Sequence, residues 1–474
     1  MAESFPYKGK PDRADCRQSE AVGSDSFLQE INERSGQMVQ MCYHCHKCTA
    51  GCPSAFAMEY GPDRILRLIQ FGQRERLFAS RDAWLCLGCE MCGAHCPNDI
   101  DINEVLIALK EMAEEAGFRV EDCQQLREIL ADYLVQRPET VIDDRLCEGL
   151  GRLNRLSETI EDVHNISGDD NSNRLIWSQN LEHIPAGLDR KQGADVVYFV
   201  GCVASLFPRS YRVPQSFASI LEASGVDFTT LGGQEWCCGY PLLSMGRLEE
   251  AKMIIEHNVA QAKELGASRV VFACPSCYHM WKFIYPEVLG GEIGLDVLHA
   301  TELLDELIAQ GDIQMGELPL RVTYHDPCDL GRKSHVFDAP RRVLRSIPGV
   351  TFVEMSSCGQ ISECCGGGGN LESFEPDVVS EVSLKRVSRA CEVDAKVVAS
   401  ACQQCERTLT AAVRQHQDAR RARMRVMDVT ELVWKAMQEA DEAAPLHAKG
   451  SEAAPSHIKG SEAAPSHIKG SEAA

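Results

Sequence analysis

Two runs of cysteine near the start of the chain constrain its fold more than any other feature of the sequence. The first is Cys42-Tyr-His-Cys45-His-Lys-Cys48-Thr-Ala-Gly-Cys52-Pro, and the second is Cys86-Leu-Gly-Cys89-Glu-Met-Cys92-Gly-Ala-His-Cys96-Pro. Both have the spacing C-x2-C-x2-C-x3-C-P, which is typical of bacterial proteins with two [4Fe–4S] clusters. Three thiolates on one short loop can bind three corners of an iron–sulfur cube, and the proline turns the chain away after the fourth cysteine.

The same motif predicts how these cysteines are shared between two cubane clusters. In two-cluster ferredoxins the fourth cysteine of each run binds the other cluster. The predicted ligand sets are therefore Cys42, Cys45, Cys48 and Cys96 for one cluster, and Cys86, Cys89, Cys92 and Cys52 for the other. Zinc is the alternative, because C-x2-C pairs also bind tetrahedral zinc, but two complete four-cysteine runs favour iron. The helical pattern at 62–76 between the runs predicts an α-helical ferredoxin domain.

A second cysteine pattern occurs twice in the C-terminal half of the chain. The copies are Cys202, Cys237-Cys238-Gly239 and Cys274-Pro-Ser-Cys277, then Cys328, Cys364-Cys365-Gly366 and Cys402-Gln-Gln-Cys405. They are offset by 126 to 128 residues, so one module with five cysteines is duplicated, with a boundary near 312–320. Adjacent cysteines are poor partners for one disulfide but can bind neighbouring irons.

Short β-rich segments alternate with helical patterns from residue 195 onward, which predicts parallel, Rossmann-like α/β sheets. The candidate strands are 195–201, 227–231, 269–273, 321–325, 351–355 and 396–400. One cysteine follows closely after each of four strands: Cys202, Cys274, Cys328 and Cys402. Ligands of open α/β sheets bind beyond the carboxyl ends of the strands, so the five thiols of each module are expected to converge there.

Several residues beside the cysteines leave two interpretations open. His44, His46 and His95 lie inside the ferredoxin loops, where they either tune a cluster through hydrogen bonds to sulfur or are solvated. His325, three residues before Cys328, is either a proton-delivery group or a core or capping histidine. The run 366–369 of four glycines lacks the GK[ST] of a phosphate loop and indicates either close packing against a cofactor or a flexible loop.

Composition restricts the class of function. Lys and Arg number 48 and Asp and Glu 70, and the net charge of −22 argues against binding nucleic acid or an anionic membrane. The sequence has no secretory signal and no membrane-spanning stretch, so we expect a cytoplasmic protein, in which its 23 cysteines are more often metal ligands than disulfides. Five cysteines without metal-binding spacing are expected to pack as small apolar side chains: Cys16, Cys123, Cys147, Cys358 and Cys391.

The ten duplicated cysteines resemble those of the CCG-domain family. From about residue 41 to 438 the chain also resembles the heterodisulfide reductase subunit in which the ferredoxin and catalytic parts are fused. The resemblance implies that the cysteines of each module hold a noncubane [4Fe–4S] cluster and act catalytically: Cys202, Cys237, Cys238, Cys274 and Cys277 in one module, and Cys328, Cys364, Cys365, Cys402 and Cys405 in the other. It further implies reduction of a small-molecule disulfide between the two clusters.

No G-x-G-x-x-G follows a strand and opens a helix, so a partner must supply the electrons. The resemblance implies a flavin-containing heterodisulfide reductase subunit or a membrane cytochrome b, feeding electrons through the ferredoxin clusters and attaching the protein peripherally to the membrane in the second case. Similar proteins leave alternatives open: an electron-transfer subunit of a flavin dehydrogenase, of the glycolate oxidase or anaerobic glycerol-3-phosphate dehydrogenase type, or a subunit of a bifurcating or quinone-linked complex.

The predicted organisation has six parts. They are a polar N-terminal segment (1–40), a ferredoxin domain (41–110), a helical connector (111–193), CCG module one (194–318), CCG module two (319–438) and a low-complexity tail (439–474). The tail contains AAPLHAKGSE followed by two copies of AAPSHIKGSE, with His447, His457 and His467, so it is predicted to be disordered, with a histidine metal site as the alternative.

Overall fold

The computed structural model describes residues 26–120, 122–138 and 140–443. The predictions for Cys16 and for the histidine repeats of the tail lie outside the described residues. Within these ranges, no helix is both long enough and apolar enough to cross a bilayer.

The ferredoxin part is helical, as the sequence predicts. Its helices are α1 (Ser26–Ser35), α2 (Lys47–Gly51), α3 (Gly61–Gln70), α4 (Arg74–Phe78), α5 (Met91–Ala94) and α6 (Ile102–Glu115), with 3-10 turns at Val39–Met41 and Ala55–Ala57. Pro62 lies in the first turn of α3, where its missing N–H leaves no hydrogen bond unmade. Asp101 caps α6 by accepting hydrogen bonds from the backbone N–H groups of Asn103 and Glu104.

The connector contains α7 (Cys123–Ile129), α8 (Ala131–Gln136), α9 (Asp144–Val163) and a 3-10 helix at Asn171–Asn180. Cys123 begins α7, Cys147 lies in the first turn of α9, and the two form a disulfide. The expectation that both pack as free apolar side chains is therefore wrong. Sequence spacing could not reveal the pair, because it depends on how α7 packs against α9.

Each CCG module is built on a four-stranded parallel sheet. Module one contains β1 (Val196–Phe199), β2 (Phe228–Thr230), β3 (Arg269–Phe272) and β4 (Asp296–His299) in the order β2-β1-β3-β4. Module two contains β5 (Arg321–His325), β6 (Thr351–Val353), β7 (Val397–Ser400) and β8 (Arg425–Asp428) in the order β6-β5-β7-β8. The two orders are equivalent, which confirms the predicted duplicated α/β fold.

Helices cover both sheets and join the modules. Module one has α10 (Cys202–Leu206), α11 (Arg212–Ala223), α12 (Tyr240–Ser244), α13 (Leu248–Glu264), α14 (Pro275–His279), a π-helical turn (Met280–Ile284), α15 (Tyr285–Leu289) and α16 (Ala300–Gln310), with 3-10 turns at Pro208–Ser210 and Gly232–Gln234. Module two has α17 (Asp338–Ser346), a 3-10 turn (Gly359–Ile361), α18 (Leu371–Phe374), α19 (Pro376–Glu392), α20 (Gln403–Gln415), α21 (Gln417–Arg421) and α22 (Val429–Ala443). Because α11 packs on α22 and α16 on α17, the two modules share an apolar interface.

Candidate metal centres

The ferredoxin loops bring their eight cysteines into two groups. The Cys42 thiol interacts electrostatically with Cys96 and Cys45, and Cys48 interacts with Cys42. In the other group, Cys52 interacts with Cys89 and Cys86, and Cys92 interacts with all three. The fourth cysteine of each run therefore lies with the first three of the other run. Burial raises the pKa of Cys48 to about 11 and that of Cys52 to about 12, so the neutral thiol is favoured where no cation stabilises the thiolate.

The second ferredoxin group lies directly against module two. The Cys89 thiol is within hydrogen-bonding reach of the Cys364 thiol, and this bond is the largest of the effects that lower the pKa of Cys89 to about 6. Arg332 of module two stabilises this contact by donating hydrogen bonds to the Cys89 carbonyl oxygen (2.6 Å) and to the Ser362 carbonyl oxygen (2.6 Å). A cysteine assigned to a ferredoxin cluster thus touches one assigned to a CCG cluster.

The glycine run of module two makes this approach possible. Gly369 has a φ of +62°, and a Cβ there would overlap with the carbonyl oxygen of Cys86 and with Leu87. A Cβ at Gly368 would overlap with the Leu87 carbonyl oxygen. The last two glycines of the segment, Gly368 and Gly369, are therefore a packing surface for the second ferredoxin loop, and neither of the two interpretations from the sequence named this partner.

Within each module the five thiols form one connected chain of sulfur contacts. In module one the hydrogen-bonded pairs run in the order Cys202, Cys237, Cys238, Cys277 and Cys274. In module two the corresponding order is Cys328, Cys364, Cys365, Cys405 and Cys402. The order is the same in both modules, so the loops after the strands bring together the five cysteines that the sequence predicted to converge.

The donors around these sulfurs fit an iron–sulfur group. Backbone N–H groups donate to the sulfurs of Cys237 (3.5 Å), Cys364 (3.4 Å), Cys365 (3.4 Å) and Cys402 (3.3 Å). Such hydrogen bonds favour the thiolate, which is the form that binds metal. Zinc would need four ligands, whereas each module presents five buried or half-buried sulfurs, a number better suited to several irons.

A cavity of about 380 Å³, partly open to solvent, lies at the junction of the two modules and the connector. Every CCG cysteine except Cys364 lines it, because Cys364 faces the ferredoxin loop. The apolar part of the wall is formed by Leu156, Ile166, Val203 and Phe207. Sulfur atoms from both modules therefore face one shared space.

A polar network that spans the two modules forms another part of the wall. Tyr240 and Asp329 both line the cavity, and the Tyr240 hydroxyl donates to Oδ1 of Asp329 (3.1 Å). Ser276 donates to Oδ2 of Asp329 (2.6 Å), and Lys333 donates to the Tyr240 hydroxyl (3.1 Å). Burial opposes the charge of Lys333, but Asp329 and Tyr240 outweigh it and raise the pKa of Lys333 well above its usual value. An ammonium group is thus fixed behind the cavity.

A buried arginine of the connector, Arg174, contacts module one. Arg174 donates to Sγ of Cys202 (3.2 Å), Oγ of Ser205 (3.1 Å) and Oε1 of Glu235 (2.7 Å). Glu235 also accepts from the backbone N–H groups of residues 200 and 201, so the pair is enclosed by hydrogen bonds. A fixed positive charge against a ligand sulfur favours the more negative, reduced state of a bound cluster.

Replacing Arg174 with methionine is expected to reduce the free energy of unfolding by about 3–5 kcal/mol, because Glu235 is left buried without its counter-charge. Anaerobic urea unfolding measures this loss. The double variant Arg174→Met/Glu235→Gln should recover part of it, since no unpaired carboxylate remains. Arg420→Met, at an exposed position, should stay within about 0.5 kcal/mol of the wild type. Equal losses for the single and double variants would contradict this account of the pair.

Module two has a different set of polar side chains beside its sulfurs, and they act on a different cysteine of the five. Arg386 donates from Nε to Nδ1 of the buried His325 (3.0 Å). The proton of the imidazole is therefore on Nε2, which faces Cys365, and burial lowers the pKa of His325. His325 is thus a buried hydrogen-bond donor to a ligand sulfur. The sulfur skeletons of the two modules match, but their charged surroundings do not.

The three histidines of the ferredoxin loops differ in how they relate to the sulfur atoms. His44 approaches the Cys42 sulfur (3.9 Å), whereas His46 pairs with Asp63 (2.7 Å) and His95 donates to a backbone carbonyl (2.8 Å). Sequence reasoning missed the residues that surround the sulfur groups: Arg174, Tyr240, Asp329, Arg332, Lys333 and Arg386. Tyr240 and Asp329 lie within two residues of CCG cysteines, and this closeness in sequence could have identified them. The sequence gives no such indication for the other four.

Comparison with known families defines the class of protein to which this fold and site correspond. Residues 41–101 match the "4Fe-4S dicluster domain", and residues 196–282 and 322–410 each match the CCG "Cysteine-rich domain". The chain is therefore an iron–sulfur protein that combines a dicluster ferredoxin domain with two CCG domains.

Similarity to individual proteins makes the assignment narrower. Over 422 residues the chain is 32% identical to the D subunit of the dihydromethanophenazine:CoB–CoM heterodisulfide reductase from Methanosarcina mazei, and the match covers 84% of this chain and 93% of that protein. The probable iron-sulfur-binding oxidoreductase FadF of Bacillus subtilis is 28% identical over 443 residues, covering 86% of this chain and 61% of that protein. The B subunit of the fumarate reductase (CoM/CoB) from Methanothermobacter marburgensis is 27% identical over 399 residues, covering 80% and 69%. The chain belongs to the family of the heterodisulfide reductase D subunit.

Proposed function

We propose that this protein is the catalytic subunit of a disulfide reductase, and that the disulfide is reduced in the cavity between the two CCG modules. The observation that carries the proposal is that nine of the ten CCG cysteines line this one cavity. Reduction breaks one S–S bond, consumes two electrons and two protons, and yields two thiols. A site with a sulfur-rich centre on each side suits a substrate with two sulfur atoms.

The proposed cofactors are four [4Fe–4S] clusters. Two are cubane clusters, held by the ferredoxin groups Cys42, Cys45, Cys48, Cys96 and Cys52, Cys86, Cys89, Cys92. Two are noncubane clusters, each held by the five cysteines of one module. When bound, such clusters supply electrons one at a time. The protein orients the disulfide with the apolar wall around Phe207 and with the polar groups of Tyr240 and Asp329.

The proposed electron path enters at the first ferredoxin group and leaves through the second. Contact between Cys89 and Cys364 supports the exit, because it joins the second ferredoxin group to module two. Exposed apolar side chains beside the first group support the entrance, since they offer a docking surface for a partner: Met38 (53% exposed), Met41 (52%) and Tyr43 (62%). The partner is a flavin-containing subunit or a membrane cytochrome b.

Anaerobic purification, with iron and sulfide analysis and EPR during titration with a thiol and its disulfide, tests this function. We expect about sixteen irons per chain, four for each of four clusters, and a paramagnetic signal that depends on the thiol. Reduced methyl viologen should then drive reduction of the disulfide.

An electron-transfer subunit gives a different result in the same experiment. It would contain the same iron but show neither a thiol-dependent signal nor disulfide reduction, and that outcome would refute the proposed reaction while leaving the cluster assignment intact. Iron content near eight per chain would instead contradict the assignment of clusters to the CCG modules.

A further inference from the structure

A groove lined with arginine opens beside the cavity between the modules. It has a volume of about 580 Å³ and shares Arg407 and Glu372 with the cavity wall. The other arginines that line it are Arg209, Arg212 and Arg414. Two of the four arginines come from the segment that leads into α11 of module one, and two come from α20 of module two. The groove is therefore formed at the same junction as the cavity.

The groove is a local site of positive charge in an acidic chain. The whole chain carries −22, whereas the groove has four arginines and two glutamates. One glutamate, Glu372, is already engaged by Arg407 (2.7 Å) and Gln404 (2.8 Å). The guanidinium groups of Arg209 and Arg414 have neither an ion pair nor a hydrogen bond among the residues that the structure describes. Their charge is available to a ligand.

The second glutamate, Glu406, is less exposed than three of the four arginines of the groove. It lies at the inner side of the groove, where one of its carboxyl oxygens is buried without a hydrogen bond. Glu406 is half-buried as a whole, whereas Arg209, Arg212 and Arg414 are exposed. The exposed part of the groove is thus formed by the arginines and not by the carboxylate.

We propose that this groove binds an oxyanion at one end of the disulfide substrate while the S–S bond lies in the cavity. The inference rests on the proposed function and narrows its substrate to disulfides of thiols that carry a group such as a carboxylate. Guanidinium groups match oxyanions in charge and in bidentate geometry. Arg407 lies at the passage between the two spaces and is held there by Glu372 and by stacking on the Phe207 ring (4.9 Å).

A small ligand explains the groove better than an acidic partner protein does. Its volume lies within the range of about 300–1,000 Å³ that is usual for small-molecule sites. Its shared residues Arg407 and Glu372 connect it to the cavity of about 380 Å³, which is too small to admit a folded partner. A chain of a few bonds, in contrast, can extend from the cavity into the groove.

The test compares two disulfides of similar length, 3,3′-dithiodipropionate with two carboxylates and the neutral bis(2-hydroxyethyl) disulfide. Binding of each to the anaerobic holoenzyme is measured by calorimetry for the wild type and for Arg209→Gln/Arg414→Gln. We expect the wild type to prefer the dianion and the double variant to lose about tenfold or more of this preference, as the removal of charged hydrogen bonds does elsewhere. Arg209→Lys/Arg414→Lys should retain part of it. The control Arg420→Gln, an exposed arginine on α21 outside the groove, should retain all of it.

An unchanged preference in the double variant would overturn the proposal, and so would an equal loss of affinity for both disulfides. Turnover with reduced methyl viologen separates the two levels of inference. If the arginine-dependent preference is found but neither disulfide is reduced, the proposed reaction fails and the anion site stands. If both disulfides are reduced with no arginine-dependent preference, the reaction stands and the anion site fails.

Discussion

Cys365→Ala is expected to remove one noncubane cluster and to abolish disulfide reduction while both ferredoxin clusters remain. Cys365 is the central thiol of module two, within hydrogen-bonding distance of the Cys405 sulfur (3.3 Å) and in contact with Cys364 and His325. Iron should fall from about sixteen to about twelve per chain. Activity should fall by more than about 100-fold, since even residues that only support metal ligands cost about 10–100-fold. Iron analysis and EPR of the reduced protein measure the two effects separately.

Cys358→Ala is the matched control for this substitution. Cys358 is a half-buried cysteine of the same module, and it is not one of the five cysteines in that module's chain of sulfur contacts. Its replacement should leave the iron content and the EPR spectrum unchanged. If Cys365→Ala also retained about sixteen irons, the five-cysteine ligand set would be wrong.

Gly369→Ala is expected to disturb the contact between the ferredoxin domain and module two. The new Cβ would overlap with the Cys86 carbonyl oxygen, in a backbone conformation that also disfavours any side chain. The two penalties together should reduce the free energy of unfolding by about 2–5 kcal/mol. If the loops separate, electron transfer from the ferredoxin clusters to module two should slow as well. Stopped-flow reduction, followed at the CCG signals, measures the rate.

Gly359 provides a control, because it has the same backbone conformation but a new Cβ there would have no neighbour. Its φ is +59°, and a Cβ there would meet nothing within 4 Å. Gly359→Ala should cost only the conformational penalty, about 1–2 kcal/mol, with no change in the transfer rate. Equal effects of the two substitutions would show that the ferredoxin contact contributes little.

The strands that sequence could predict are those that carry a dense apolar pattern. All six candidates from 195 to 400 are strands, although most are shorter than predicted. The fourth strand of each sheet, β4 and β8, was missed. Each has only four residues, with polar side chains at both ends (Asp296 and His299, Arg425 and Asp428) and two apolar residues between them, so periodicity distinguishes them poorly from loops. Their place beside β3 and β7 comes from tertiary pairing.

The residues of the site also divide into those that local sequence spacing predicts and those that come together only in the fold. Cysteine spacing predicted each thiol that the structure brings into the four sulfur groups, because ligand loops are short and their spacing is strict. The charged groups around them come from distant segments. Arg174 reaches Cys202 from the connector, and Arg332 reaches Cys89 across a domain boundary. One sequence contains no signal that links such pairs, since they meet only after the helices pack.

The ferredoxin domain precedes module one along the chain but packs through Cys89 and Gly369 against module two. The ferredoxin domain therefore also contacts a part of the chain that does not follow it directly in sequence. The contact between the ferredoxin domain and module two depends on the complementarity of their surfaces and not on a peptide link between them. Cutting the chain between α6 and α7, which keeps the Cys123–Cys147 disulfide within one fragment, should thus leave two fragments that remain associated, so a gene for this architecture could be divided into two without loss of the assembly.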